Sequence, residues 1–224
     1  MEELPQNKDL KDHAHSGVKA ALNLIPFAGG ALASVFETVF SAPIDKRKEE
    51  WLILLASTVE EICEKVEELT PETLSENGTF ISAYLQASNL ALRTHQAEKI
   101  AALNSAVKNT VLLEDLDETL KMIFIRFIDD MTPLHFRVLH FLSNPNEYIN
   151  KLMTDESATV TGDLQDVWNE LYTDVSTNDP LIDLVISDLY NLGLLTAKTF
   201  RDARLGSVST PLGLQFIEFI EYES

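Results

Sequence analysis

The chain has 224 residues, 45% of them hydrophobic and 24% charged, which supplies apolar side chains for a substantial core and excludes a disordered or low-complexity composition. A formal net charge of −19 repels phosphate backbones and anionic lipid, which argues against nonspecific nucleic-acid binding and against electrostatic adsorption to membranes. One cysteine, Cys63, excludes an internal disulfide and fits a reducing compartment.

Residues 1–15 read as a polar lead-in. Glu2, Glu3, Asp9 and Asp12 are mixed with Lys8 and Lys11, so the positive start of a secretory signal is missing. Ser16 to Phe40 is unusually apolar, with no charge between Lys19 and Glu37. Pro26 removes a helix hydrogen bond and Gly29-Gly30 loosens the backbone, so two short helices with a break are expected there. Three readings fit residues 18–40. One is a hairpin buried in the bundle; the second is a membrane span, at the lower limit of length. The third is a conditionally inserting hairpin in which Pro26, Gly29 and Gly30 are the hinge. A mean hydropathy of −0.01 and the polar remainder favour a soluble resting state.

A long amphipathic helix is expected over residues 45–69. Leu52, Leu55, Val59, Ile62, Val66 and Leu69 recur at steps of three and four and form one stripe. That stripe is the candidate surface for self-association or a protein partner. Cys63 lies among apolar helix positions and reads as a small buried hydrophobe rather than a catalytic thiol. Thr70-Pro71 ends this helix and starts another turn, since proline suits the first helical position. Asn77-Gly78 reads as a turn before a helix over residues 79–110, and Asp115 to Met131 reads as a further helix with acids at its start.

From Thr132 the texture changes. Thr132-Pro133, Asn144-Pro145, Asp179-Pro180 and Thr210-Pro211 each pair a capping residue with a proline, and Glu147 makes a capping box possible after Asn144. Residues 154–162 read as a loop, and a short helix with Leu164, Val167, Trp168 and Leu171 inward follows. Gly193 stops the helix that Asp179 caps. Leu194 to Phe200 and Gly206 to Ser209 are the one strand signal, a hairpin around Arg201-Asp202-Ala203-Arg204. The expected fold is mainly α: a helical bundle over 1–131 with an apolar N-terminal hairpin, and a winged-helix-like module over 132–224. The helix before the supposed wing carries Asp183 and Asp188 and no lysine or arginine, which argues against DNA binding.

Catalytic signals are weak. His95 with Glu98 supplies two metal ligands at most, and His135 and His140 are five apart on one helix, a poor spacing for a shared metal. His135 near Asp129 and Asp130 is a candidate acid–base pair, although carboxylates before a helix start are ordinary. Arg93, His95 and Lys99, with Lys108 further along, form a candidate patch for an anionic ligand; pairing with the surplus carboxylates is the bland alternative. There is no glycine-rich phosphate loop and no nucleophile elbow. No cofactor or metal is expected.

The stretches IPFAGGALASVFE, LQASNLALRTHQAEKIAALNSAV, DDMTPLHFRVLHFL and LYNLGLLTAK with STPLGLQFIEFI resemble uncharacterised bacterial proteins of this size, from about residue 16 to the end. The run from an apolar N-terminal part through helices to a TPLG-like end is similar to the abortive-infection alpha proteins of bacterial phage defence. These motifs consist mostly of packing and capping residues, and the resemblance brings no catalytic residue. The expectation is a cytoplasmic, non-enzymatic helical interaction protein of bacterial type. The alternative is a membrane-active effector, acting in phage defence, that inserts residues 18–40 after a trigger.

Overall fold

The computed structural model describes residues 42–153, 163–203 and 207–221. The expected lead-in, the apolar segment with Pro26, Gly29 and Gly30, and the loop over 154–162 lie outside these residues. The described chain is mainly helical: α1 (Ala42–Lys65), α2 (Pro71–Glu76), α3 (Gly78–Arg93), α4 (Ala97–Leu112), α5 (Glu118–Asp130), α6 (Pro133–Ser143), α7 (Pro145–Met153), α8 (Leu164–Leu171), α9 (Pro180–Asn191) and α10 (Pro211–Ile220). A single 3-10 turn, Phe200–Asp202, lies between α9 and α10.

The helix starts follow from short polar side chains that accept otherwise unpaired backbone N–H groups. Asn77 Oδ1 accepts from Phe80 N at 2.9 Å, which makes the expected turn the cap of α3. Asp117 caps α5 through Thr119 N (2.8 Å), Asp163 caps α8 through Gln165 N (2.9 Å), and Asp179 caps α9 through Leu181 N (2.9 Å). At the start of α7, Glu147 Oε2 accepts from Asn144 Nδ2 at 3.2 Å. Gly193, at φ 77°, ends α9 in a left-handed turn, in which Leu194 N donates to Leu189 O at 2.9 Å.

Contacts divide the chain inside α1, between Ile53 and Leu54. In the first part, the described half of α1 carries the exposed pair Lys46–Glu50 (3.5 Å) and exposed Ile44, Leu52 and Ile53. The second part is built around α4, which packs against α3, α5, α6 and α10. Every residue of α4 from Ala102 to Val111 is buried. Two aromatic clusters fill the remaining core. Phe124 of α5 packs on Phe216 and Phe219 of α10, with ring centroids 5.2 and 5.6 Å apart. Phe141 of α6 meets Trp168 of α8 edge-on at 5.2 Å, and Phe200 lies 5.7 Å from the same indole.

Several expectations are corrected. The helix over 79–110 is two helices, broken at Thr94–Gln96. One straight helix of that length would span roughly 48 Å; the break lets the Ala83, Ala87 and Leu90 face of α3 fold back on α4. The helix expected to reach Leu69 ends at Lys65, and its stripe is split: Leu55 and Ile62 are buried while Leu52 is 44% exposed. Cys63 is part-exposed rather than buried. The expected hairpin forms no strands among the described residues. Its arms meet at one antiparallel bridge, Leu195–Ser209, with Thr196 N donating to Val208 O at 2.8 Å. Beyond Ala197 the first arm turns inward, because Phe200 (1% exposed) joins the aromatic cluster and the Asp202 carboxylate binds Thr199 N at 3.1 Å. A winged-helix module therefore lacks its wing in the described residues.

Candidate functional site

The residues singled out for an anion patch are engaged within the fold. Arg93, at the end of α3, reaches Asp129 at 3.6 Å. Lys99 is buried in the first turn of α4 and donates to the Asp129 carbonyl at 2.7 Å, where it satisfies the negative C-terminus of α5. Burial holds the Lys99 ammonium below the usual lysine range; Asp129 and Asp130 oppose that shift and Arg93 adds to it. His95 is exposed in the break between α3 and α4 rather than on a helix.

His135 does not face Asp129 or Asp130 as an acid–base partner. It sits at the third position of α6, where its Nδ1 accepts from the backbone N–H of Thr132 at 3.1 Å. The imidazole thus takes the place of the glutamate or glutamine of an ordinary capping box. Its Nε2 lies 3.5 Å from Asp188 Oδ2 of α9. At 7% exposure it is closed to direct contact with a substrate. Asp188 was not singled out from sequence as a partner, because it lies 53 positions away on another helix and nothing local links the two. His140 pairs instead with Glu221, at 3.2 Å.

Two more polar groups on α4 are engaged within the fold. Asn109 Nδ2 lies 3.1 Å from the carbonyls of Glu218, Phe219 and Glu221, so it caps the end of α10 from the side. Lys108, 1% exposed, binds Glu61 of α1 at 3.1 Å, and Lys65 reaches the same carboxylate oxygen at 3.1 Å. Among the described residues no buried polar side-chain atom lacks a partner, and no group of three or more His, Cys, Asp or Glu side chains could hold a metal ion.

A further candidate is a groove of about 530 Å³ between the second half of α1 and α4. Its α1 wall is Leu54, Ser57, Thr58 and Glu61; its α4 wall includes Ala97, Ile100, Ala101 and Ser105. Ala97, Ala101 and Ser105 recur every fourth residue, so α4 presents a low ridge there. At its base Thr58 Oγ1 donates to Asn104 Oδ1 at 2.7 Å. With that pair closed, and Glu61 held by Lys65 and Lys108, the surface offered to an occupant is mainly apolar. The volume falls in the range of ligand pockets, but the shape is a slot between two helices without a convergent set of polar groups. The slot could not be read from sequence, since Ala97, Ala101 and Ser105 have the spacing of ordinary core positions.

No known protein family, no curated protein and no solved structure matches this chain. No helix among the described residues is long and apolar enough to cross a membrane.

Proposed function

We propose that this chain is a non-enzymatic helical interaction protein, and that its groove between α1 and α4 receives one helix of a protein partner. The observation that carries this reading is the groove's lining. Leu54 and Ile100 give it apolar sides, while Ala97, Ala101 and Ser105 let another backbone approach closely. Amphipathic helices bind grooves of this kind by laying an apolar ridge into them. The partner helix carries basic residues beside its apolar ridge, because Glu60, Glu64 and Glu98 are exposed on the same two helices and the whole chain bears −19. Beside the groove, Thr58 is paired with Asn104, and Glu61 is paired with Lys65 and Lys108.

The test is co-purification from cells of the wild-type chain against Ala101→Arg. Ala101 is exposed, so arginine there fills the slot without entering the core. A protein that accompanies the wild type and is missing with the variant supports the reading. Identical partner profiles from two equally folded chains contradict it.

A further inference from the structure

We infer that His135 is a pH-sensitive latch: on mild acidification its protonation releases the cap of α6 and loosens the junction at which α4, α5, α6 and α9 meet. The latch rests on hydrogen-bond geometry. Thr132 N–H points at His135 Nδ1 from 3.1 Å, and a backbone N–H can only donate, so Nδ1 must be the ring's acceptor. The neutral ring then carries its proton on Nε2, facing Asp188 Oδ2 at 3.5 Å. The Thr132 hydroxyl, 2.9 Å from the same Nδ1, can donate to the neutral ring or accept from a protonated one. The backbone N–H has no such freedom. When Nδ1 gains a proton, Thr132 N–H loses its acceptor and the hydroxyl turns round. A glutamine at this position would hold the cap at any pH; histidine makes it conditional.

Burial and the charged groups around the ring act on it together. Asp188, on α9, favours the imidazolium. Lys99, on α4, opposes it. Asp129 and Asp130, at the end of α5, act on Lys99, and Arg93 of α3 reaches Asp129. Burial is the largest effect and holds His135 below the usual histidine range in spite of Asp188. The unfolded chain therefore takes up this proton near pH 6.5 while the folded chain resists it. The stability that the neutral ring contributes is present above about pH 6.5 and is lost as the pH falls through the folded value.

The experiment compares the full chain with His135→Gln, which retains a capping acceptor and does not titrate. Amide hydrogen exchange at Thr132 is measured at pH 7.5 and 5.0 and corrected for the intrinsic pH dependence of exchange. The wild type is expected to lose Thr132 protection several-fold at pH 5.0, and His135→Gln is expected to keep it. Equal losses in the two proteins, or none in the wild type, would overturn the latch. Should His135→Gln fail to fold, nitrogen NMR of the wild-type imidazole decides. A neutral ring protonated on Nε2 that titrates below 6.5 supports the latch; a proton on Nδ1, or a midpoint at or above 6.5, overturns it.

Discussion

Thr210-Pro211-Leu212-Gly213 shows how a local motif can answer to a distant constraint. Thr210 Oγ1 accepts from Gly213 N at 2.9 Å and donates to the Gly193 carbonyl at 2.6 Å, so one hydroxyl ties the start of α10 to the end of α9. A Cβ on Gly213 would stand 2.2 Å from the Leu194 carbonyl oxygen, with backbone on both sides of the contact. Gly213→Ala is therefore expected to destabilise the protein by about 3 kcal/mol, as overpacking does where the neighbour cannot move aside. Urea denaturation measures this, and an unchanged midpoint would refute the close approach. The cap and the proline of this motif were legible in sequence. The need for glycine was not, because the atom that enforces it comes from a different segment.

The helices divide along the same line between local and distant information. Asn77, Asp179 and Thr210 mark their helix starts in sequence, since a capping side chain and the N–H groups it serves are neighbours. The break between α3 and α4 carries no glycine or proline and follows from tertiary packing. In the same way the supposed hairpin had strand-like residues, but burial of Phe200 outweighed pairing beyond Leu195. On α4, Lys99 and Lys108 belonged to the expected anion patch, yet each is buried against a partner, as Asn104 and Asn109 are. The two sides of this helix should respond oppositely to one change. Ala106, fully buried, should lose more than about 4 kcal/mol on substitution by arginine, because the charge has no partner there. Ala101→Arg, on the groove side, should stay within about 0.5 kcal/mol of the wild type. Thermal unfolding of the two variants checks this, and equal losses would mean that the groove is closed.

At the scale of the whole molecule, the sequence predicted the class of fold but not the location of the groove. Composition and helical periodicity were sufficient for a mainly α chain. The groove depends on how α1 and α4 are spaced, which no short-range pattern encodes. The negative charge is spread along the chain, so it defines the chemistry of a partner rather than a position on the surface. The most direct test of the proposed function places a photo-reactive benzoylphenylalanine at Ala101 in the groove and, as a control, at exposed Glu170 on α8, with irradiation in living cells. One discrete adduct with another protein is expected from position 101 and none from position 170. No discrete adduct from position 101, or the same products from both positions, would contradict it.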